Sequence, residues 1–357
     1  MKQFCLLTTM ALALGAATGV AQQGSSSGPY RVLRTAKVGG VGGFDYVYAD
    51  SAGRRLYIAR NNPAPRMTVF NLDTLEPISE FPITGNAAHG AAVDPKSHHG
   101  FGSSKPVVMW DTTTMMPIKT IDVEGNPDGI MFEPMTARVY VFSHLAPFAT
   151  VINAAEGTVA GTIDLGGMPE QAVSDNKGHL YVDIEDRANV AVVDVKKLAV
   201  TAHYDLEGKG GTCAGLAFDA KNRILFAACR NPQNMVVLNA DDGKVLATLP
   251  IGMGTDGAVF NPATMEAFSS QGDGTLTIVK ENSPTSFVVE QSLQTKVSGK
   301  TLTLDPKTNH IFVIAADYGP PPPPPPPGAA PEGRGGRGGG GRGQMVQDSF
   351  SILEIGK

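Results

Sequence analysis

Short runs of β-branched and aromatic residues alternate along this chain with clusters of Gly, Pro, Asn, Asp and Ser. Residues 129–165 show the pattern once through. Gly129-Ile130-Met131-Phe132 is a short apolar run, 133–137 turns, and Arg138-Val139-Tyr140-Val141-Phe142 is a second run. Residues 143–148 loop, 149–153 form a third run, 154–157 turn, and 159–165 form a fourth. Such composition favours strands, so the stretch predicts four antiparallel strands joined by short hairpins. Alternation is weak in runs such as Leu56-Tyr57-Ile58 and Ile224-Leu225-Phe226. That predicts inner strands buried on both faces. Gly and Pro between the runs oppose helix throughout.

The unit returns seven times. Its anchors are Asp50, Asp94, Glu133, Asp175, Asp219, Asn261 and Asp305, spaced by 44, 39, 42, 44, 42 and 44 residues. Strand-built repeats of this length predict an all-β, seven-bladed β-propeller. The seventh repeat ends at its third strand, 350–354, with no fourth strand after it. Residues 30–38 read as that missing strand, so the N-terminal strand is expected to complete the last blade and close the ring. Closure removes sheet edges that invite aggregation. The propeller domain is then 30–357, preceded by a flexible segment at 22–29. An insert at 319–344 interrupts blade seven. It opens with a proline run, a stiff polyproline II rod, and continues as Gly-rich text carrying Arg334, Arg337 and Arg342, disordered by composition.

Composition changes the picture in two places. Residues 1–21 carry Lys2, an apolar stretch and the small residues Gly19-Val20-Ala21, the pattern of a secretory signal cut near Ala21. The stretch is short for a membrane span, so a soluble, periplasmic or secreted protein is expected. The net charge is −5; without Lys2 it is −6, and without the insert (net +2) the body carries −8. An acidic body repels phosphate backbones.

Two cysteines follow the signal segment. If the hairpin of the fifth repeat turns at Lys221, residues whose numbers sum to 442 pair, so Asp219 faces Arg223 and Cys213 faces Cys229. Export permits a disulfide, which is the expectation; two free buried thiols are the alternative.

The candidate chemistry lies five residues before each anchor: Asp45, His89, Asp128, Glu170, Ala214, Asp256 and Lys300. These positions open the innermost strands, so they should ring the mouth of the central channel. Asp45, His89 and Asp128 come from adjacent blades and could hold a divalent metal, Ca, Mn or Zn. Water-filled channels with acids capping turns are the plainer account. Loops on the same face add Arg60, Asn61, Ser143, His144, Glu185, Asp186, Arg187, Arg230, Asn231, Gln271, Asp273 and Tyr318. His98-His99 falls in a turn on the opposite face, and Trp110 is expected to pack between blades. No nucleophile elbow, phosphate loop or His-Glu-x-x-His motif occurs.

Phrases such as Asp305-Pro306-Lys307-Thr308-Asn309-His310-Ile311-Phe312-Val313 and Thr68-Val69-Phe70-Asn71-Leu72-Asp73-Thr74 resemble the YVTN-type repeats of YncE-like bacterial propellers. The resemblance covers the chain from Tyr30 to its end except the insert. It implies a seven-bladed propeller in an exported protein, and one such member is associated with DNA binding. Related propellers of the gluconolactonase type hold a metal in the channel. The first expectation is a binding or scaffold protein whose channel mouth meets a small polar ligand or a protein partner. A metal-dependent lactonase or esterase is the second, and single-stranded nucleic-acid binding through the arginine insert the third. The sequence names no reaction.

Overall fold

The computed structural model describes residues 27–85, 87–320 and 343–357. The expected signal segment 1–21, residues 22–26 and most of the insert, 321–342, lie outside the described residues. Among the described residues, twenty-eight strands form seven four-stranded antiparallel sheets. No helix among them is long and apolar enough to cross a membrane. The first sheet runs Phe44–Asp50, Arg55–Arg60, Arg66–Asn71, Pro77–Pro82, and five others repeat that order. The chain is a seven-bladed β-propeller.

The anchors explain why the repeat survives in the text. Each turns its side chain onto amides of the hairpin that follows. Asp50 accepts from Gly53 N at 2.8 Å, Glu133 from Met135 N at 2.9 Å, and Asp219 from Lys221 N at 2.9 Å. Asn261 and Asp305 do the same with Ala263 N and Lys307 N. A carboxylate or amide here replaces hydrogen bonds the turn backbone cannot make for itself. The last turn residue is then left-handed even without glycine, as at Arg54 (φ 54°), Arg223 (φ 58°) and Asn309 (φ 64°).

Burial follows strand position. Middle strands such as Arg55–Arg60 and His310–Ala315 are buried on both faces, whereas the outermost strand Ala199–Asp205 alternates exposed and half-buried residues. The core is divided into seven apolar clusters between neighbouring blades. Trp110 is fully buried in one of them, packed on Tyr57 and Phe81 of the blade before it.

The last blade has the order Arg31–Lys37, Ser351–Gly356, His310–Ala315, Thr301–Asp305. The N-terminal strand therefore supplies its outer edge, antiparallel to the C-terminal strand. The C-terminal strand runs two residues past the expected 350–354, because Ile355 still pairs with both neighbours. Arg34 binds Glu354 at 2.7 Å, and Tyr30 reaches the sixth blade through Gln291 and an edge-on contact with Phe268. A cluster with Phe312, Ile314, Phe350 and Ile352 on one side and Leu56, Ile58 and Phe70 on the other seals the last blade to the first.

Cys213 and Cys229 face each other and are joined as a disulfide. The register around them differs from the simple hairpin expectation: Asp219 pairs with Ile224, not Arg223. A bulge between Cys213 and Gly215 takes up the extra residue and restores the cysteine pairing.

Candidate functional site at the channel mouth

That bulge recurs where the chemistry lies. In five blades the pairing of the innermost strand slips at its opening residues: between Phe44 and Val47, Pro127 and Ile130, Pro169 and Ala172, Cys213 and Gly215, and Thr255 and Ala258. Asp45, Asp128, Glu170, Ala214 and Asp256 all sit inside these irregular steps. A bulge releases a residue from the ladder and re-aims its side chain. A side chain of the fourth blade also braces the inner strands of the fifth and sixth. Gln171 Oε1 accepts from Leu216 N at 3.0 Å and from Ala258 N at 2.9 Å.

The structure brings all six ionisable mouth residues into one connected set. Lys300 Nζ lies 3.2 Å from Asp45 Oδ1 and also binds Asp256. Asp45 Oδ2 is 2.8 Å from His89 Nδ1, which is 3.2 Å from Asp128 Oδ1. Asp128 Oδ2 is 3.1 Å from His144 Nε2, which is 3.7 Å from Glu170 Oε1. Tyr46 donates its hydroxyl to Glu170 Oε2 at 3.1 Å. Arg230 binds Asp256 and, at 2.8 Å, Glu185 Oε1. The expected trio Asp45, His89 and Asp128 is thus together, and a second trio, Asp128, His144 and Glu170, adjoins it.

Tyr46, His144, Glu185 and Arg230 enlarge the set beyond the residues read from the inner strands. His144 and Glu185 directly follow the second strands Arg138–Ser143 and His179–Ile184, and Arg230 ends Ile224–Arg230. His144, Glu185 and Arg230 are among the upper-face loop residues expected from the sequence, and their shared position at the upper end of the second strand is the signal that singles them out. Blade five shows the exchange: its mouth position holds Ala214, and its second strand supplies Arg230 instead. Other upper-face residues hold loops. Asn61 pairs with the Ala88 backbone, Asp186 accepts from Met168 N, and Arg60 lies over the Phe350 ring. His98 is an exposed turn residue, and His99 donates to Ala154 O, away from the mouth.

Electrostatics divide the set. Burial alone would raise Asp45, but Lys300 and His89 outweigh it and hold the carboxyl down at about 2. Burial likewise opposes the charged forms of Lys300, His89 and Arg230, yet facing carboxylates hold all three above their ordinary values. Asp128 goes the other way: burial and then the Asp45 charge push it up to about 6. Glu170 is raised by burial and by Asp256 and Asp128. The cations therefore serve the Asp45 and Asp256 side, and carboxylates crowd the side of Asp128 and Glu170.

No protein-family model matches the chain. No curated protein matches it. Among solved structures, the crystal structure of RRP9 WD40 repeats is similar with a TM-score of 0.71 at 12% identity, covering 94% of this chain and 99% of that one. The structure of U3-55K is similar with a TM-score of 0.68 at 12% identity, covering 91% and 98%. At this identity the likeness is one of fold: the chain shares the WD40-type propeller architecture.

Proposed function

We propose that this chain is an exported binding propeller of the YVTN type whose channel mouth takes a small, positively charged ligand. One observation carries the reading. Five carboxylates, Asp45, Asp128, Glu170, Glu185 and Asp256, face two permanent cations, Lys300 and Arg230, around one mouth. A concave site with an excess of one charge favours the opposite charge. The acidic body points the same way and disfavours phosphate backbones. Export rests on the signal-like residues 1–21, and N-terminal sequencing of protein from the cell envelope or medium tests it. Thermal unfolding with small organic amines and divalent cations, against citrate and phosphate, tests the ligand class. Cations should raise the melting temperature of the wild type, and Asp128→Asn should blunt that rise. Stabilisation by the anions alone would overturn the reading.

A further inference from the structure

The chain of contacts at the mouth alternates carboxylate and imidazole: Asp45, His89, Asp128, His144, Glu170. Each carboxylate divides its two oxygens. Asp45 gives Oδ1 to Lys300 and turns Oδ2 to His89. Glu170 gives Oε2 to Tyr46 and turns Oε1 toward His144. Asp128, between them, faces His89 with Oδ1 and His144 with Oδ2. Lys300 and Tyr46 thus hold the outer carboxylates so that one oxygen of each points inward. Outer-shell partners orient metal ligands in this way.

Asp45 Oδ2 and His89 Nδ1 are hydrogen-bonded at 2.8 Å, but the contacts of Asp128 and His144 are not settled hydrogen bonds. Asp128 Oδ1 and His144 Nε2 are both buried and lack a hydrogen-bond partner, although each has an oppositely polar atom close by. Glu170, with its side chain 6% exposed, keeps Oε1 3.7 Å from His144, beyond hydrogen-bond reach. Buried polar atoms left unsatisfied require an explanation. Within each trio one atom per residue lies within 4.8 Å of the others.

We propose that the mouth holds two divalent cations with Asp128 as the bridging ligand. One ion takes Asp45 Oδ2, His89 Nδ1 and Asp128 Oδ1; the other takes Asp128 Oδ2, His144 Nε2 and Glu170 Oε1. One imidazole and two carboxylate oxygens per ion, with water completing the shell, suit Mn²⁺ or Zn²⁺ better than Ca²⁺. This inference rests on the reading of the mouth as a cation site and goes further in fixing the number, class and ligands of the ions.

Equilibrium dialysis of chelator-treated full chain against Mn²⁺, with paramagnetic resonance on the same samples, tests it. Two Mn²⁺ per chain with a spin-coupled signal are expected. His89→Ala and His144→Ala should each keep one ion and show only an isolated-ion signal. Asp128→Asn, close in size to the original side chain, should weaken both ions and abolish the coupling. Tyr46→Phe should weaken the second ion about 10–100-fold and spare the first. Circular dichroism checks that each variant is folded. One Mn²⁺ per chain, or two without coupling, would overturn the two-ion centre while leaving the cation site standing. No Mn²⁺ or Zn²⁺ bound, with organic amines still stabilising, would also sink the centre alone. No response to any cation would remove both.

Discussion

Lys300, which precedes the first strand of the seventh blade, places its ammonium 3.2 Å from Asp45 Oδ1 in the first. The same ammonium binds Asp256 of the sixth blade, and all three side chains are largely buried. Lys300→Met would keep most of the volume and leave two carboxylates short of their counter-ion. Breaking a buried pair from one side costs about 3–5 kcal/mol. Urea unfolding should show that loss, and Lys300→Arg should recover part of it. An unchanged midpoint in Lys300→Met would show that Arg230 alone neutralises Asp256 and that Asp45 needs no cation.

Local geometry explains why the mouth residues of the inner strands are legible, why His144, Glu185 and Arg230 are legible only as upper-face loop residues, and why Tyr46 is not legible at all. The anchors cap turns, so their spacing records blade length, and counting back along an inner strand reaches Asp45, Asp128, Glu170 and Asp256 in step. Tyr46 escapes that count. Alternation assigns it to the face opposite Asp45, but the pairing slips between Phe44 and Val47 and both side chains join the mouth set. Nothing in the composition of a strand announces such a slip. His144 and Arg230 are legible as upper-face loop residues but not as the members of that group that reach the mouth, for another reason. They sit where second strands pass into loops, and which loop residue turns inward depends on chain reversal. In the third blade Ser143 Oγ accepts from Asn126 N at 2.6 Å and donates to Leu145 O, fixing that reversal. Closure by residues 30–38 was legible because a missing fourth strand and a spare run at the other end of the chain are both visible in the text.

Glu281 gives a pH dependence with a definite sign. It is buried in the sixth blade and accepts from Asn222 Nδ2 of the fifth at 2.6 Å, with Asp219 and Lys221 in the same turn. Burial, opposed by Asn222 and helped by the Asp219 charge, pushes its carboxyl up from 4.5 to about 7. Between those values the folded chain holds a proton that the unfolded chain has lost. Stability therefore falls as pH rises from 4.5 to 7, and the full cost is present above 7. Glu281→Gln should remove that cost, on the order of 1–3 kcal/mol. The variant's advantage should vanish by pH 4.5. Denaturant midpoints across that range check this; an advantage independent of pH would contradict it.

Asp183 is a buried acid of another kind. It has no exposure and neither oxygen has a partner, and burial alone raises its carboxyl well above the usual range. It lies in a middle strand opposite Val190, where the equivalent positions of the first and fifth blades carry Ala59 and Ala228. Asp183→Val removes an unsatisfied polar group and adds a residue suited to the strand. The melting temperature should rise, by the equivalent of about 1–3 kcal/mol. A fall would mean that the carboxyl has a role the side chains around it do not reveal.

The disulfide closes a sequence separation of 16 residues inside one hairpin. A loop of that length is worth about 3 kcal/mol in the chain-entropy account, and less where the hairpin is already paired. The double variant Cys213→Ala, Cys229→Ala should unfold at lower denaturant by about 2–3 kcal/mol. Adding reductant should lower the wild type toward the variant and leave the variant unmoved. Intact-mass measurement after alkylation, with and without reductant, checks the bond directly.

Ring closure is the relationship on which the mouth depends most. Residues 30–38 cover the edge of Ser351–Gly356, and that sheet packs against the first blade through Phe312, Ile314, Phe350 and Ile352. Deleting 30–38 also removes the Arg34–Glu354 pair and the hold of Tyr30 on Gln291. The shortened chain should melt at much lower temperature and associate through its bared edge. A synthetic peptide spanning 27–40 should restore the melting temperature in trans, because the strand joins the ring through backbone pairing rather than through its place in the chain. Lys300 and Asp45 stand on either side of that last seam, so cation binding at the mouth should be lost and regained with the peptide. A deletion variant that kept its melting temperature would show that the seam between the last and first blades holds without its outer strand.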